Sequence, residues 1–156
     1  MDPSALYNSY NLSVAWDHPG NSTAIHSRVY FYSCPSEPIE PGKENFTNYL
    51  MVTGPGTFYD HERGAITLLS NIRDGTSSTI GVVQSCRKVH WASPDDLVVD
   101  VKKPLNLADF KNAHSGGFQA MMLDGSVRFI KSPTPESRIR TLHSIAGGEE
   151  THERSY

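Results

Sequence analysis

Two residue types that often do chemistry together, a histidine and an aspartate, stand in one short segment. Nine residues separate His114 from Asp124, and such a pair could share a proton or hold a metal ion. The residues between them read as a strand, which rises about 3.3 Å per residue, so the two side chains should lie roughly 20–30 Å apart. The spacing therefore predicts a structural motif, made of His114, Gly116, Gly117, Asp124 and Gly125, and no catalytic residue in it.

The Asp124-Gly125 dipeptide lies between two apolar runs. That arrangement predicts a β-hairpin with a two-residue type I′ turn, which would place Met122 opposite Val127. Gly116-Gly117 should give the backbone freedom where the first strand begins. Side chains alternate along a strand, so one buried face is predicted, made of Phe118, Ala120, Met122, Val127 and Phe129.

The chain has seven histidines, but their spacing is not that of a metal site. It has neither a helical i, i+4 pair of histidines nor a His-Glu-x-x-His sequence. Loop carboxylates, Asp74 and Asp124 among them, could hold a structural calcium ion together with backbone carbonyls, although no EF-hand spacing supports this. The spacing therefore gives no reason to expect a catalytic metal, and we expect no cofactor apart from that possible calcium ion.

Cys34 and Cys86 are the only cysteines. In an oxidising compartment they could pair, which would close a loop of about 50 residues and stabilise the fold by roughly 4 kcal/mol on the chain-entropy estimate. The alternative is two unrelated buried thiols. The sequence leaves both open.

Composition favours a small domain of strands and loops. The chain has 156 residues, 12 glycines and 10 prolines, with many short apolar runs between them, which is enough for one domain with a real core. The net charge of −3 gives no reason to expect nucleic acid as a partner. The longest apolar runs are too short to span a membrane, and the first residues do not resemble an export signal.

The predicted fold class is α+β, with a twisted antiparallel sheet, loop-rich flanks and a short C-terminal helix. Strands are expected at Asn45–Thr53 and Thr79–Ser85, and a β-rich run at His26–Ser33. The helix is expected at Pro135–Ala146, with Thr134 as its cap. Residues 1–148 should form a single domain, and the polar tail 149–156 should be disordered.

Seven stretches in order resemble one bacterial family. They are LYNSYNLSVAWDHPGN near the start, Cys34-Pro35-Ser36, TNYLMVTGPGT at 47–57, IRDGTSSTIGVV at 72–83, VHWASPDDL at 89–97, HSGGFQAMMLDGSVRFI at 114–130, and a terminal AGGEE. Together they resemble the globular region of prepilin-like, pseudopilin-type proteins that carry a His-x(9)-Asp-Gly signature. Ser78 and Gln84 depart from that pattern, which commonly has an asparagine and a carboxylate there.

The resemblance implies a function in assembly. Full-length members of the family begin with a leader and a long apolar helix, which anchors them in the inner membrane and packs into a filament. It implies a non-catalytic subunit of a type II secretion or pilus-like assembly, exposed on the periplasmic side. Its partners would be other pseudopilin-like subunits, bound through the N-terminal helix, and secreted cargo. That helix is missing here, which suggests a soluble piece cut after the anchor.

Two alternatives belong to other functional classes. The first is an extracytoplasmic module that binds a solute or glycan, with aromatic rings that stack on sugars. Its candidate stacking residues are Trp16, Tyr59 and Trp91, joined by Tyr7, Tyr10, Tyr30 and Tyr32. The second is a hydrolase, which would need a cluster of buried carboxylates with perturbed pKa values.

Overall fold

A computed structural model describes residues 3–110 and 114–146. The tail 149–156, which is expected to be disordered, lies outside these residues. Seven strands are described: β1 (Phe46–Thr53), β2 (Tyr59–Asp60), β3 (Ala65–Ile66), β4 (Ile80–His90), β5 (Leu97–Val98), β6 (Gly117–Met122) and β7 (Val127–Lys131). The described α-helices are α1 (Pro3–Ser9), α2 (Ser22–Ile25) and α3 (Glu136–Thr141). None of the described helices has the length and apolar character needed to cross a membrane.

The strands form a sheet in the order β3-β2-β1-β4-β6-β7, with β5 also paired to β1. The pairs β4–β6 and β6–β7 are antiparallel, whereas β2 and β5 run parallel to β1. The sheet is therefore mixed. The α+β class is confirmed, and the predicted strands at 45–53 and 79–85 correspond to β1 and the first part of β4.

The described chain divides into two compact units. The N-terminal unit comprises residues 3–48 and 87–95, and the C-terminal unit comprises residues 49–86 and 96–146. Two of the three boundaries between them fall inside β1 and β4, and the third lies just before β5. The expectation that 1–148 forms a single domain stays a prediction.

Apolar side chains from several strands build the core of the C-terminal unit. Leu50 and Val52 of β1 are 1% and 0% exposed, and Ile80 and Val83 of β4 are 0% and 1% exposed. Burying a side chain of this size contributes about 1.5–3 kcal/mol. The same core includes Phe118, Ala120, Met122, Ile130 and Ile139.

Polar contacts to the backbone hold the loops of the N-terminal unit. Asn21 is fully buried, and its Oδ1 accepts a hydrogen bond from the amide of Asn11 at 2.8 Å. Its Nδ2 donates to the carbonyls of Asn11 and Ala15 at 3.2 and 3.1 Å. Asn45 donates in the same way to the carbonyl of Ile25. These amides satisfy backbone groups that no strand or helix pairs, as buried polar groups require.

The C-terminal helix is shorter than predicted. Helix α3 ends at Thr141 instead of Ala146, and Pro135 takes the cap position predicted for Thr134. The early end follows from tertiary hydrogen bonds: the carbonyl of Leu142 accepts from the amide of Ile80, and the amide of Ile145 donates to Gly56. Pairing with these neighbours competes with continuation of the helix.

Candidate functional site

The hairpin of the His114–Asp124 segment forms with a register that differs by one residue from the prediction. Met121, and not Met122, lies opposite Val127, and Phe118 lies opposite Ile130. Because side chains alternate, a one-residue shift turns a strand over. Strand β6 keeps its predicted buried face, but β7 is inverted. Ile130 is 7% exposed, whereas Val127 and Phe129, predicted to be buried, are 65% and 41% exposed.

A three-residue loop at 123–125 causes the shift. The amide of Gly125 donates to the carbonyl of Met122 at 2.9 Å, and the amide of Met122 donates to the carbonyl of Ser126 at 2.8 Å. Gly125 has a φ of +85°, and positive φ angles in the described chain occur only at glycines. Asp124 therefore cannot be in a type I′ turn, and the geometry is that of a turn followed by a left-handed glycine.

Asp124 stabilises this turn with its own side chain. Its Oδ1 accepts hydrogen bonds from the Oγ and the amide nitrogen of Ser126, at 2.6 and 2.9 Å. These bonds hold the pKa of the Asp124 carboxyl below its usual value. A carboxylate held in this way is typical of a turn.

His114 lies at the other end of strand β6, before its first residue. It borders a cavity of about 390 Å³ together with Phe110, Phe118 and Lys131. The six residues of β6 separate it from the Asp124 turn, so the two side chains do not form a common site.

Gly116, which precedes β6, and Gly117, the first residue of β6, are glycines for different structural reasons. Gly116 has a φ of +84°, which disfavours any residue with a side chain. At Gly117, a Cβ atom would lie 2.2 Å from the carbonyl oxygen of Ile130. Glycine at position 117 therefore allows β6 to approach β7.

The described residues considered from the sequence as catalytic groups or metal ligands do not come together in one site. Residues 3–110 and 114–146 contain no group of three or more His, Cys, Asp or Glu side chains that could hold a metal ion. The structural calcium ion near Asp74 or Asp124, which would also use backbone carbonyls, stays a prediction. The described carboxyls with shifted pKa values are Glu40, Glu44, Asp100 and Asp124, and all four pKa values are lowered. Three of these residues are exposed, and Asp100 is half-buried. Lys43 and Lys88, for example, lower the pKa of Glu40 to about 2. The hydrolase alternative gains no support from them.

Cys34 and Cys86 are not bonded to each other in this structure, so the disulfide considered from the sequence is not formed. Cys34 is buried in the N-terminal unit, and Cys86 is exposed in the C-terminal unit. The Sγ of Cys86 donates to the carbonyl of Ala108 at 3.3 Å. Each thiol is thus part of the packing of its own unit.

A large concave surface lies in the N-terminal unit. We call it the aromatic groove, and its rings are those of Tyr7, Tyr10, Tyr30, Phe31, Tyr32 and Trp91. Its volume is about 650 Å³, within the usual range of ligand pockets, roughly 300–1,000 Å³. The ring centroids of Tyr10 and Tyr32 lie 6.4 and 6.3 Å from that of Trp91.

Three separate segments supply these rings. Helix α1 carries Tyr7, and Trp91 follows β4 with its indole Nε1 donating to the carbonyl of Ser27 at 3.1 Å. Tyr30–Tyr32 forms a 3₁₀ turn, so the strand-like run predicted at His26–Ser33 is wrong. A 3₁₀ turn distributes successive side chains around its axis, and Tyr30 and Phe31 are 65% and 79% exposed.

The three residues predicted from the sequence to stack on sugars, Trp16, Tyr59 and Trp91, do not form one surface. Trp91 lines the aromatic groove, but Trp16 lies against the ring of His90, with the centroids 5.1 Å apart. Tyr59 is half-buried in β2 of the C-terminal unit. The sequence analysis did not identify Phe31 and Arg28 as groove residues, because both lie in the β-rich run predicted at His26–Ser33.

Arg28 is the charged residue that lines the aromatic groove. Its guanidinium carbon lies 4.4 Å from the centre of the Tyr30 ring. Its Nε is buried without a hydrogen-bond partner, and none of the ion pairs between described residues includes it. Its charge contributes only weakly to the lowered pKa of Glu44, which backbone hydrogen bonds mainly determine.

Comparison with known proteins gives no relative from which a function could be transferred. No family model, curated protein or solved structure matches the chain. The candidate sites are therefore interpreted from their own geometry.

Proposed function

We propose that the protein is a non-catalytic, pseudopilin-like structural subunit of a type II secretion or pilus-like assembly. It would act on the exported side of the bacterial inner membrane. The observation that carries this proposal is the outer face of the β6–β7 hairpin. Met121 and Val127 lie directly opposite each other on that face, and Phe129 lies further along it. They are 40%, 65% and 41% exposed, respectively.

An antiparallel sheet that is apolar on both faces needs a second covering layer. The inner face of this hairpin, with Phe118, Ala120, Met122 and Ile130, already belongs to the core. A long apolar helix of the pseudopilin type would cover the outer face. The His-x(9)-Asp-Gly segment is then a scaffold that presents this face, consistent with Asp124 stabilising its own turn.

The proposal can be tested with the natural protein in its own bacterium. Val127→Glu places a charge on the outer face, and Val98→Glu in β5 is the matched control, because Val98 is also exposed, at 56%. Chemical cross-linking of intact cells should trap multimers of the wild type and of Val98→Glu but not of Val127→Glu. The purified variants should retain wild-type melting temperatures. A wild type that forms no multimers, or a Val127→Glu variant that forms them normally, would refute the proposal.

A second candidate function is supported by the aromatic groove. Exposed tyrosines, together with Trp91, are suited to stacking on the apolar faces of sugars, so an extracytoplasmic glycan-binding module is the alternative. Calorimetric titration with neutral and acidic oligosaccharides tests it. Binding that disappears in Tyr30→Ala but persists in Val127→Glu would favour this module over the structural subunit. Absence of binding to every oligosaccharide would reject it.

A further inference from the structure

The aromatic groove combines an apolar lining with a single positive charge. Besides the rings, its lining includes the aliphatic residues Leu6, Leu12 and Val29, and Arg28 is its one charged member among the described residues. Leu12 is 71% exposed and Phe31 is 79% exposed. These apolar residues adjoin one another in a concave surface around one charge, which is characteristic of a binding site, whereas singly scattered exposed hydrophobic residues are not.

The guanidinium of Arg28 has no anionic partner among the described residues, and its chemistry indicates which ligand group the groove could bind. The Tyr30 ring beneath the guanidinium fixes its position, and the buried Nε has no acceptor. A buried donor without a partner is unfavourable. The planar guanidinium matches a carboxylate, which can accept two parallel hydrogen bonds from it. Charge complementarity therefore favours an occupant with a carboxylate.

The rest of the lining favours a peptide over a sugar. Leu12, Val29 and Phe31 have no hydrogen-bonding side-chain groups, so sugar hydroxyls placed against them would lose water without gaining partners. Apolar side chains of a peptide would bury the same surface favourably. Tyrosine, tryptophan and arginine are also the residue types that dominate the energetic centres of protein interfaces.

We propose that the aromatic groove binds a segment of a partner protein in which apolar side chains flank an aspartate or glutamate. The carboxylate pairs with Arg28, and the apolar side chains cover Tyr7, Phe31 and Trp91. This inference rests on the proposed function in one respect, that the protein acts by binding other proteins. It does not depend on the hairpin.

The test uses an array of five-residue peptides, built from Leu, Phe and Tyr around a central Asp, each matched to a copy with Asn. Binding to the 156-residue chain is measured by calorimetry for the best pairs. We expect the Asp peptides to bind at least about tenfold more tightly than their Asn copies, since the arginine is partly buried. Arg28→Gln should abolish the difference between the two peptides. Arg63→Gln is the control, because Arg63 is an exposed arginine of the C-terminal unit, paired with Asp60, and it should change nothing.

A second variant addresses the apolar part of the groove. Phe31→Ser replaces a largely exposed ring, so it should leave the fold intact while weakening every peptide. Equal affinity for Asp and Asn peptides would overturn the pairing with Arg28. Binding of oligosaccharides but of no peptide would overturn the choice of a protein partner, and no binding at all would overturn the site. Val127→Glu should leave peptide binding unchanged. The cross-linking experiment and the peptide experiment can therefore fail independently of each other.

Discussion

The β6–β7 hairpin and the aromatic groove both expose apolar side chains, but different kinds of backbone present them. On the hairpin, two regular strands fix Met121, Val127 and Phe129 in a row, and the register alone decides that they face outward. In the groove, a 3₁₀ turn, a helix and a residue after a strand contribute the rings. A flat row is suited to a long helix, whereas a concave surface with a guanidinium is suited to a short segment with a charge. Under the two proposals made above, the two surfaces would therefore bind different partners.

The largest expected effect concerns the close approach of the two strands. Gly117→Ala places a methyl group against the carbonyl oxygen of Ile130 and should lower the free energy of unfolding by about 4 kcal/mol or more, since backbone atoms cannot yield as side chains do. Gly125→Ala has open space and only an unfavourable positive φ, so it should cost about 1–2 kcal/mol. Urea denaturation measures both. Equal costs would contradict the β6–β7 contact.

The register is tested by a pair of alanine substitutions on β7. Ile130→Ala should lower the free energy of unfolding by about 3 kcal/mol because it leaves a cavity in the core. Val127→Ala, and Phe31→Ala in the groove, should change it by less than about 0.5 kcal/mol because both residues are exposed. Thermal and urea unfolding provide the comparison. A two-residue turn would reverse the order of the two β7 variants.

A smaller, pH-dependent effect should come from the C-terminal unit. His143 is fully buried, and the centroids of its ring and of the Phe110 ring lie 5.6 Å apart. Burial lowers its pKa from 6.5 to about 4. The unfolded chain therefore binds a proton before the folded protein does, so stability is complete above pH 6.5 and falls as the pH decreases from 6.5 towards 4.

The expected loss over that range is roughly 2–3 kcal/mol. His143→Leu should remove this part of the pH dependence, as measured by urea denaturation at a series of pH values. The difference between wild type and variant isolates this histidine from the carboxyls that also titrate in acid. Identical pH profiles would show that His143 is not buried in its neutral form. Peptide binding in the aromatic groove, which His143 does not line, should not follow this titration.

The sequence predicted the hairpin more successfully than the groove. The strands expected at 45–53 and 79–85 correspond to β1 and the first part of β4, and alternation located the buried face of β6, whose residues are buried at every second position. The inversion of β7 escaped prediction because Asp124-Gly125 suits both a two-residue turn and a three-residue loop ending in a left-handed glycine. One residue of difference in the loop decides which face of β7 is buried.

The aromatic groove depends on contacts between distant residues. The β-propensity of the 26–33 segment favoured a strand, but Tyr30–Tyr32 forms a 3₁₀ turn instead, since tertiary context overrides such propensities. The Trp91 indole bonds to Ser27, 64 residues earlier in the chain. The unpaired Nε of Arg28 can be identified only once its neighbours are known. The early end of helix α3 has the same origin, in hydrogen bonds with Ile80 and Gly56, which are distant in sequence.

The most direct test of the scaffold interpretation identifies what covers the outer face of the hairpin in the cell. A photo-reactive phenylalanine analogue is placed at position 127 of the natural protein, and intact bacteria that express it are irradiated. The peptide that becomes cross-linked to position 127 is then identified by sequencing. We predict an apolar helical segment of the same or a neighbouring pseudopilin-like subunit. Recovery of only uncross-linked protein, with position 127 reacting with water, would contradict the claim that this face supports a helix.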